Sequence, residues 1–94
     1  MNPRFDIGTF VDTLTVPATA SKVVERMKTR RRAMKISQRE LAKRSGVSYA
    51  SIRRFETTGE ISFTSLLKIA LALDCLDDFT ELFHMPEPTN LKDL

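Results

Sequence analysis

Apolar positions recur at helical spacing from residue 18 to residue 84, in runs bounded by residues typical of helix termini. The first run predicts a helix that ends at about Ala33 and is capped by Thr19 or Ser21. Its apolar face is formed by Val23, Val24 and Met27. The whole pattern predicts an all-α domain of five helices over residues 18–84.

The second predicted helix opens with a capping box, because Ser37 stands three residues before Glu40. This short helix is expected to run through Arg44. Gly46 follows it, and glycine adopts the positive φ that a tight exit from a helix needs. The second helix is therefore predicted to be short and to end in a sharp turn.

Two further serines mark the next helices. Ser48 is expected to cap a third helix that ends at about Thr57, and Gly59 closes its pattern. Ser62 is expected to cap a fourth helix over residues 63–73. The core positions of this fourth helix are predicted to be Leu66, Leu67, Ile69, Ala70 and Leu73.

The two ends of the chain carry weaker signals. Asp77 or Asp78 is predicted to cap a last helix that bears Phe79, Leu82 and Phe83. Residues 85–94 contain two prolines and are expected to form a C-terminal tail. Residues 1–17 are expected to form an N-terminal extension, a strand or an arm closed by Pro17. The apolar residues of that segment are Phe10, Val11, Leu14 and Val16.

Charge is distributed unevenly along a chain whose net charge is +3. Residues 22–54 contain twelve Lys and Arg against two acidic residues, so this segment carries +10. The remaining residues together carry −7. Such a division suits a protein that meets a polyanion on one side, although a solvated charged face is the alternative interpretation.

Several classes of protein are disfavoured by what the sequence lacks. No apolar run approaches the roughly 18 residues of a membrane span, and we see no secretory leader. Cys75 is the only cysteine, so no internal disulfide can form and we expect a cytoplasmic location. Cys75 and His84 alone do not make a zinc site. Because no phosphate-binding loop or Ser-His-Asp arrangement is apparent, we expect neither catalysis nor a cofactor nor a metal.

Residues 36–56 hold the most informative pattern in the chain. Two short capped helices are joined there by a turn that contains Gly46. Small Ala42 stands where the two helices must come close, and Val47 and Ile52 are placed to lock the second of them against the first. This is the sequence form of a helix-turn-helix.

The same segment resembles the Xre family of helix-turn-helix regulators, the phage-repressor-like (Cro/cI-type) proteins. The matching pattern is S-Q-R-E-L-A-K-R-S-G-V-S-x-x-S-I-R-R-x-E, followed by a glycine and a leucine-rich run, L-L-K-I-A-L-A-L-D. The resemblance covers residues 20–83. It implies a five-helix lambda-repressor-like domain that binds double-stranded DNA.

The third helix has an apolar and a basic face, because each residue turns an α-helix by about 100°. Ile52 and Phe55 share the inner face. The outer face and the exposed N-terminal end carry Tyr49, Ala50, Arg53 and Arg54. We expect Arg54, Tyr49 and then Arg53 to contact base edges in the major groove, and Ala50 could contact a thymine methyl. Phosphate contact or a solvated face is the alternative for both arginines.

Contacts to the DNA backbone are implied by the resemblance around this helix. Gln38 begins the second helix, at the position that clamps a phosphate in the family with help from the helix N-terminus. The other residues of the expected DNA-contacting set are Arg39, Ser48, Ser51, Thr57 and Thr58. Capping alone could explain Ser48. The two threonines stand where members of the family often carry Asn-Gly or Arg-Gly.

Glu56 lies at the edge of the buried side of the third helix, where an unpaired carboxylate would be costly. The resemblance implies that Arg31, in the first helix, is its partner. We expect this ion pair to be structural and not to contact DNA.

The end of the domain carries a concentrated set of large apolar residues, Phe79, Leu82 and Phe83. They are interpreted either as ordinary core or as a dimer interface, since members of the family commonly pair through the last helix. Two-fold pairing would place two recognition helices one DNA turn apart, roughly 34 Å.

The hypothesis that follows is a homodimeric, sequence-specific repressor of its own operon, acting at the nucleoid. A refinement, implied by the resemblance, is an antitoxin paired with a HipA-like kinase toxin that would bind around residues 77–87. Two alternatives remain at this stage. One is a protein-interaction module on the same fold, and the other is a non-specific nucleoid or RNA binder, whose affinity would depend on salt but little on sequence.

Overall fold

The computed structural model describes residues 15–87, and these form five helices and no strand. The elements are α1 (Val16–Ala33), α2 (Gln38–Ser45), α3 (Tyr49–Thr58), α4 (Phe63–Ala72) and a 3₁₀ helix (Leu76–Glu81). The all-α class is confirmed for this part of the chain. The strand or arm predicted near Phe10 and most of the predicted tail lie outside the described residues.

The first helix begins earlier than predicted. Thr15 is its N-cap, and the Thr15 hydroxyl accepts a hydrogen bond from the Ala18 amide at 3.1 Å. The predicted caps Thr19 and Ser21 were therefore wrong, since both residues lie inside α1. Pro17, expected to close a strand, instead occupies the first helical turn, where its missing N–H costs no hydrogen bond.

The inner face of α1 is narrower than its sequence suggests. The helix buries a stripe of three residues, Val24, Met27 and Arg31. Val23, expected on that face, is 40% exposed, because it lies one position, or about 100° of helix rotation, from Val24. The third position of the buried stripe is a charged residue, which requires a partner inside the domain.

The caps predicted for the next three helices are confirmed. The hydroxyls of Ser37, Ser48 and Ser62 accept hydrogen bonds at 3.0, 3.1 and 3.0 Å from backbone amides three residues on. The Glu40 carboxylate accepts a hydrogen bond from Arg44 Nε at 2.9 Å instead of completing the capping box. Each serine occupies one of the amide donors that every helix N-terminus leaves free.

Two glycines end α2 and α3 in the left-handed conformation. Gly46 has φ of +77°, and its amide donates to the Ala42 carbonyl at 2.9 Å. Gly59 has φ of +82°, and its amide donates to the Phe55 carbonyl at 2.8 Å. The turn at Gly46 joins α2 to α3 through two residues and the Ser48 cap, so the two helices remain close neighbours.

The core lies where α1, α2, α3 and α4 meet. Its four completely buried large side chains are Leu41, Ile52, Ile69 and Leu73. The remaining buried apolar residues are Val24, Met27, Ile36, Val47, Phe55 and Ala70. Of the predicted core positions of α4, Leu66 and Leu67 are only half-buried. Because the inner side of α3 is packed in the core, the core determines which residues of α3 face outwards.

The last helix differs in kind from the prediction. It is a single 3₁₀ segment with Cys75 at the N-cap position and no side-chain cap, so Asp77 and Asp78 are first-turn residues and not caps. Arg30 supports the preceding turn, because it donates to the carbonyls of Leu73 at 2.7 Å and Asp74 at 3.0 Å. The end of α4 is thereby bound to α1.

Candidate nucleic-acid interface

The outer face of α3 is the exposed face that the sequence predicts. Ile52 and Phe55 are buried in the core. The exposed residues of the same helix are Ala50, Arg53, Arg54, Thr57 and Thr58. The helix therefore presents two guanidinium groups and a small methyl side chain to the outside, a combination that can donate hydrogen bonds and also allow close approach.

Tyr49 connects the N-termini of α2 and α3. The guanidinium carbon of Arg39 lies 4.1 Å from the centre of the Tyr49 ring, and that of Arg53 lies 5.6 Å from it. Both distances are within the range of a cation–π interaction. Because Arg39 lies in the first turn of α2 and Arg53 belongs to α3, the Tyr49 ring brings cationic groups from both helices together. Sequence reasoning named all three residues but could not place them against each other.

Gln38, the first residue of α2, is hydrogen-bonded to Glu56 of α3. Its amide nitrogen donates to Glu56 Oε1 at 2.8 Å, and the residue is half-buried. A primary amide nitrogen carries two hydrogens, so one N–H remains for a phosphate oxygen. Glu56 therefore orients the amide group that the family resemblance implies for phosphate binding.

The Glu56 carboxylate is paired with Arg31, the partner that the family resemblance implies. Arg31 Nε lies 2.9 Å from Oε2, and Nη2 lies 3.1 Å from Oε1, a bidentate arrangement. Arg31 Nη1 also donates to the Ile36 carbonyl at 3.0 Å. The two side chains are only 10% and 6% exposed, so this pair lies beneath the surface and joins α1 to α3.

The hydroxyls at the ends of α3 already have hydrogen-bond partners within the chain. Those of Thr57 and Thr58 donate to the carbonyls of Arg53 and Arg54 at 2.9 and 2.8 Å. A hydroxyl has one hydrogen, so these threonines offer a phosphate no donor in this arrangement. The Ser48 hydroxyl donates to Ser51 Oγ at 2.9 Å.

Arg54 has a partner that sequence reasoning missed. Its Nη2 lies 2.5 Å from Glu60 Oε1, and the two side chains are 67% and 66% exposed. Glu60 stands six residues after Arg54 and directly follows the turn at Gly59. The only sequence signal was an acidic residue just after the glycine that ends a basic helix.

Comparison with known families agrees with this geometry. A family model described as helix-turn-helix matches residues 27–78, more than half of the chain. The protein belongs to the Xre/cI-like helix-turn-helix family. Members of this family are DNA-binding transcription regulators. No curated protein and no solved structure gives a significant match to the chain.

The helix-turn-helix match includes all of α2, α3 and α4 and residues 27–33 of α1. It therefore contains the Arg31–Glu56 pair, the Tyr49 cluster and the Arg54–Glu60 pair. The exposed residues Leu82 and Phe83 fall beyond it. The candidate interface is thus formed entirely within the helix-turn-helix region.

Cys75 is the cysteine of the described residues and is not among the residues of the candidate interface. Burial raises the pKa of the half-buried Cys75 thiol, and the nearby Arg30 guanidinium opposes that rise. Among residues 15–87, no group of three or more His, Cys, Asp and Glu side chains is arranged to hold a metal ion. None of the described helices is both long and apolar enough to cross a membrane.

Proposed function

We propose that this protein is a sequence-specific regulator of transcription that inserts α3 into the major groove of double-stranded DNA. The observation that carries the proposal is the cationic surface on α3 and at the start of α2. Arg39 and Arg53 lie over the Tyr49 ring and Arg54 is exposed on the same helix, while Ile52 and Phe55 of α3 are buried in the core. Sequence selectivity is what distinguishes this proposal from a non-specific binder.

The chemistry of this surface matches the major groove. The groove accommodates one α-helix, and an arginine can donate two hydrogen bonds to O6 and N7 of guanine. We assign base contacts to Arg54 and Tyr49 first and to Arg53 second, and a thymine methyl contact to Ala50. Phosphate contacts come from the N-termini of α2 and α3, with Gln38 and Ser51 supplying side-chain donors.

The test is selection from random double-stranded DNA at about 150 mM salt, where non-specific binding is weakened. We expect enrichment of an inverted repeat with half-sites about one helical turn apart. The Arg54→Ala variant should lose base preference at one position of each half-site, because a single guanine-reading side chain is removed.

Arg44→Ala is the matched control. Arg44 is also an exposed, carboxylate-paired arginine, but it lies in the last turn of α2 and does not belong to α3. This variant should leave the selected motif unchanged. No enrichment by the wild-type protein, with binding that fades as salt rises, would instead support a non-specific binder.

Repression of its own operon as a homodimer is the finer form of the proposal. Leu82 is 52% exposed and Phe83 fully exposed, so both are free to pack against a second copy. Phe79 is half-buried and packs edge-on against Phe63, with 6.5 Å between ring centroids. Phe79 is thus partly covered within the chain, and we assign contact with a second copy to Leu82 and Phe83.

An antitoxin role is supported only by the chemical composition of the surface at the 3₁₀ helix and the two residues that follow it. Asp77, Asp78 and Glu81 are exposed and lie beside Leu82 and Phe83, a mixed acidic and apolar surface that suits a protein partner. We propose a HipA-like kinase as that partner. Co-elution of the two proteins after co-expression with an adjacent kinase gene would support this assignment, and separate elution would exclude it.

A further inference from the structure

Glu60 is hydrogen-bonded to α3, the helix that carries Arg54, through both its backbone amide and its side chain. Its amide donates to the Thr58 hydroxyl at 3.1 Å, and that hydroxyl donates to the Arg54 carbonyl at 2.8 Å. Its carboxylate accepts a hydrogen bond from Arg54 Nη2. The positive φ at Gly59 turns the chain so that residue 60 returns towards α3. The carboxylate is therefore fixed beside the outward guanidinium by backbone as well as side-chain contacts.

The contribution of the Arg54–Glu60 pair to folding stability is too small to explain the pair. An ion pair between two exposed side chains contributes only about 0–1 kcal/mol to folding. The pair differs from the other exposed pair of the helix-turn-helix, Arg44–Glu40, in that it lies on the face assigned to DNA. A fixed negative charge on that face opposes binding to phosphates, so its effect on recognition is what remains to be explained.

We propose that Glu60 is a positioning residue that holds Arg54 for a guanine edge and keeps it from the phosphates. This inference rests on the proposed function. A guanidinium has five N–H donors, so a carboxylate on Nη2 leaves enough of them for a bidentate contact to O6 and N7. The Glu60 carboxylate and the phosphate oxygens are both negatively charged and repel each other. Glu60 therefore disfavours the contacts to the DNA backbone that a free arginine would make.

Glu60→Gln tests the role, because it removes the charge and keeps the size of the side chain. We expect the variant to bind non-specific DNA several-fold more tightly. We also expect it to lose about tenfold of its discrimination at the one base pair that Arg54 reads, the scale of a single bidentate contact. Both quantities are measured by titration of the selected site, its single-base variants and a scrambled duplex at one salt concentration.

Glu40→Gln is the matched control. It also removes one carboxylate from an exposed arginine pair, but that pair lies on α2. It should raise affinity for all duplexes alike and leave base preference intact. Equal urea midpoints for both variants and the wild type would show that neither change acts through folding.

The outcomes separate this inference from the proposed function. A loss of preference confined to the position that Arg54→Ala also relaxes would support positioning by Glu60. If Glu60→Gln left base preference unchanged at every position, or had the same effect as Glu40→Gln, the inference would be overturned. The proposed function would still stand, provided that the wild-type protein selects a motif. Absence of any motif for the wild type would overturn the proposed function and this inference with it.

Discussion

Individual charged residues serve two different purposes in this domain, and burial separates them. Glu56 is almost completely buried and accepts hydrogen bonds from both Arg31 and Gln38, so its charge is fully paired inside the domain. Arg54 and Glu60 are two-thirds exposed and lie on the surface assigned to DNA. A change at the buried pair should therefore alter folding, and a change at the exposed pair should alter recognition.

Arg31→Ala is predicted to lower the free energy of unfolding by about 3–5 kcal/mol, since it leaves the Glu56 carboxylate buried without its cationic partner. Urea unfolding followed by circular dichroism measures this loss. Arg44→Ala, which breaks an exposed pair, should cost less than about 1 kcal/mol. The structural assignment would be wrong if Arg31→Ala weakened DNA binding and left the urea midpoint unchanged.

At the scale of elements, the start and end of α2 and α3 are set by local chemistry. Serine hydroxyls cap their first turns, and Gly46 and Gly59 end them with positive φ. These signals act over three or four residues, which is why the sequence alone located them. The start of α1 was missed because Pro17 is compatible both with the end of a strand and with the first turn of a helix.

Gly46→Ala is predicted to destabilise the domain by about 1–2 kcal/mol, the cost of placing a side chain in the left-handed region. A β-carbon at Gly46 would meet no atom within 4 Å, so the loss reports backbone strain and not a clash. Thermal or urea unfolding measures it. Gly46→Asn should lose less, because asparagine tolerates this conformation better, and equal losses for both variants would contradict a backbone cause.

At the scale of the whole molecule, the basic segment and the two residues proposed for dimer contact lie in different parts of the chain. Residues 22–54 carry +10 and include α2 and most of α3. Leu82 and Phe83 follow the 3₁₀ helix, beyond the helix-turn-helix match. The residues proposed to bind DNA and those proposed to bind a second protein are therefore different residues, and both functions can be tested by separate substitutions.

If the proposed dimer forms, Phe83→Asp is predicted to convert it to a monomer in light scattering at tens of micromolar protein. Because Phe83 is fully exposed within one chain, the change should leave the fold of each monomer intact, as judged by circular dichroism. Leu71→Asp is the control, since Leu71 is 65% exposed on α4 but outside the proposed interface. A wild-type protein that is monomeric under these conditions would exclude the dimer proposal.

The sequence by itself determined the helical class, the caps at Ser37, Ser48 and Ser62, the turn at Gly46 and the basic outer face of α3. Each of these depends on contacts within a few residues or on the period of one helix. Apart from the Arg31–Glu56 pair, which the family resemblance implied, only the tertiary structure decided which side chains meet across elements. The pairs formed in this way are Arg39 with Tyr49, Gln38 with Glu56 and Arg54 with Glu60. These pairs depend on how the core orients α2 against α3 and on how the turn at Gly59 redirects the chain. No local sequence pattern encodes the angle between the two helices or the direction of that turn.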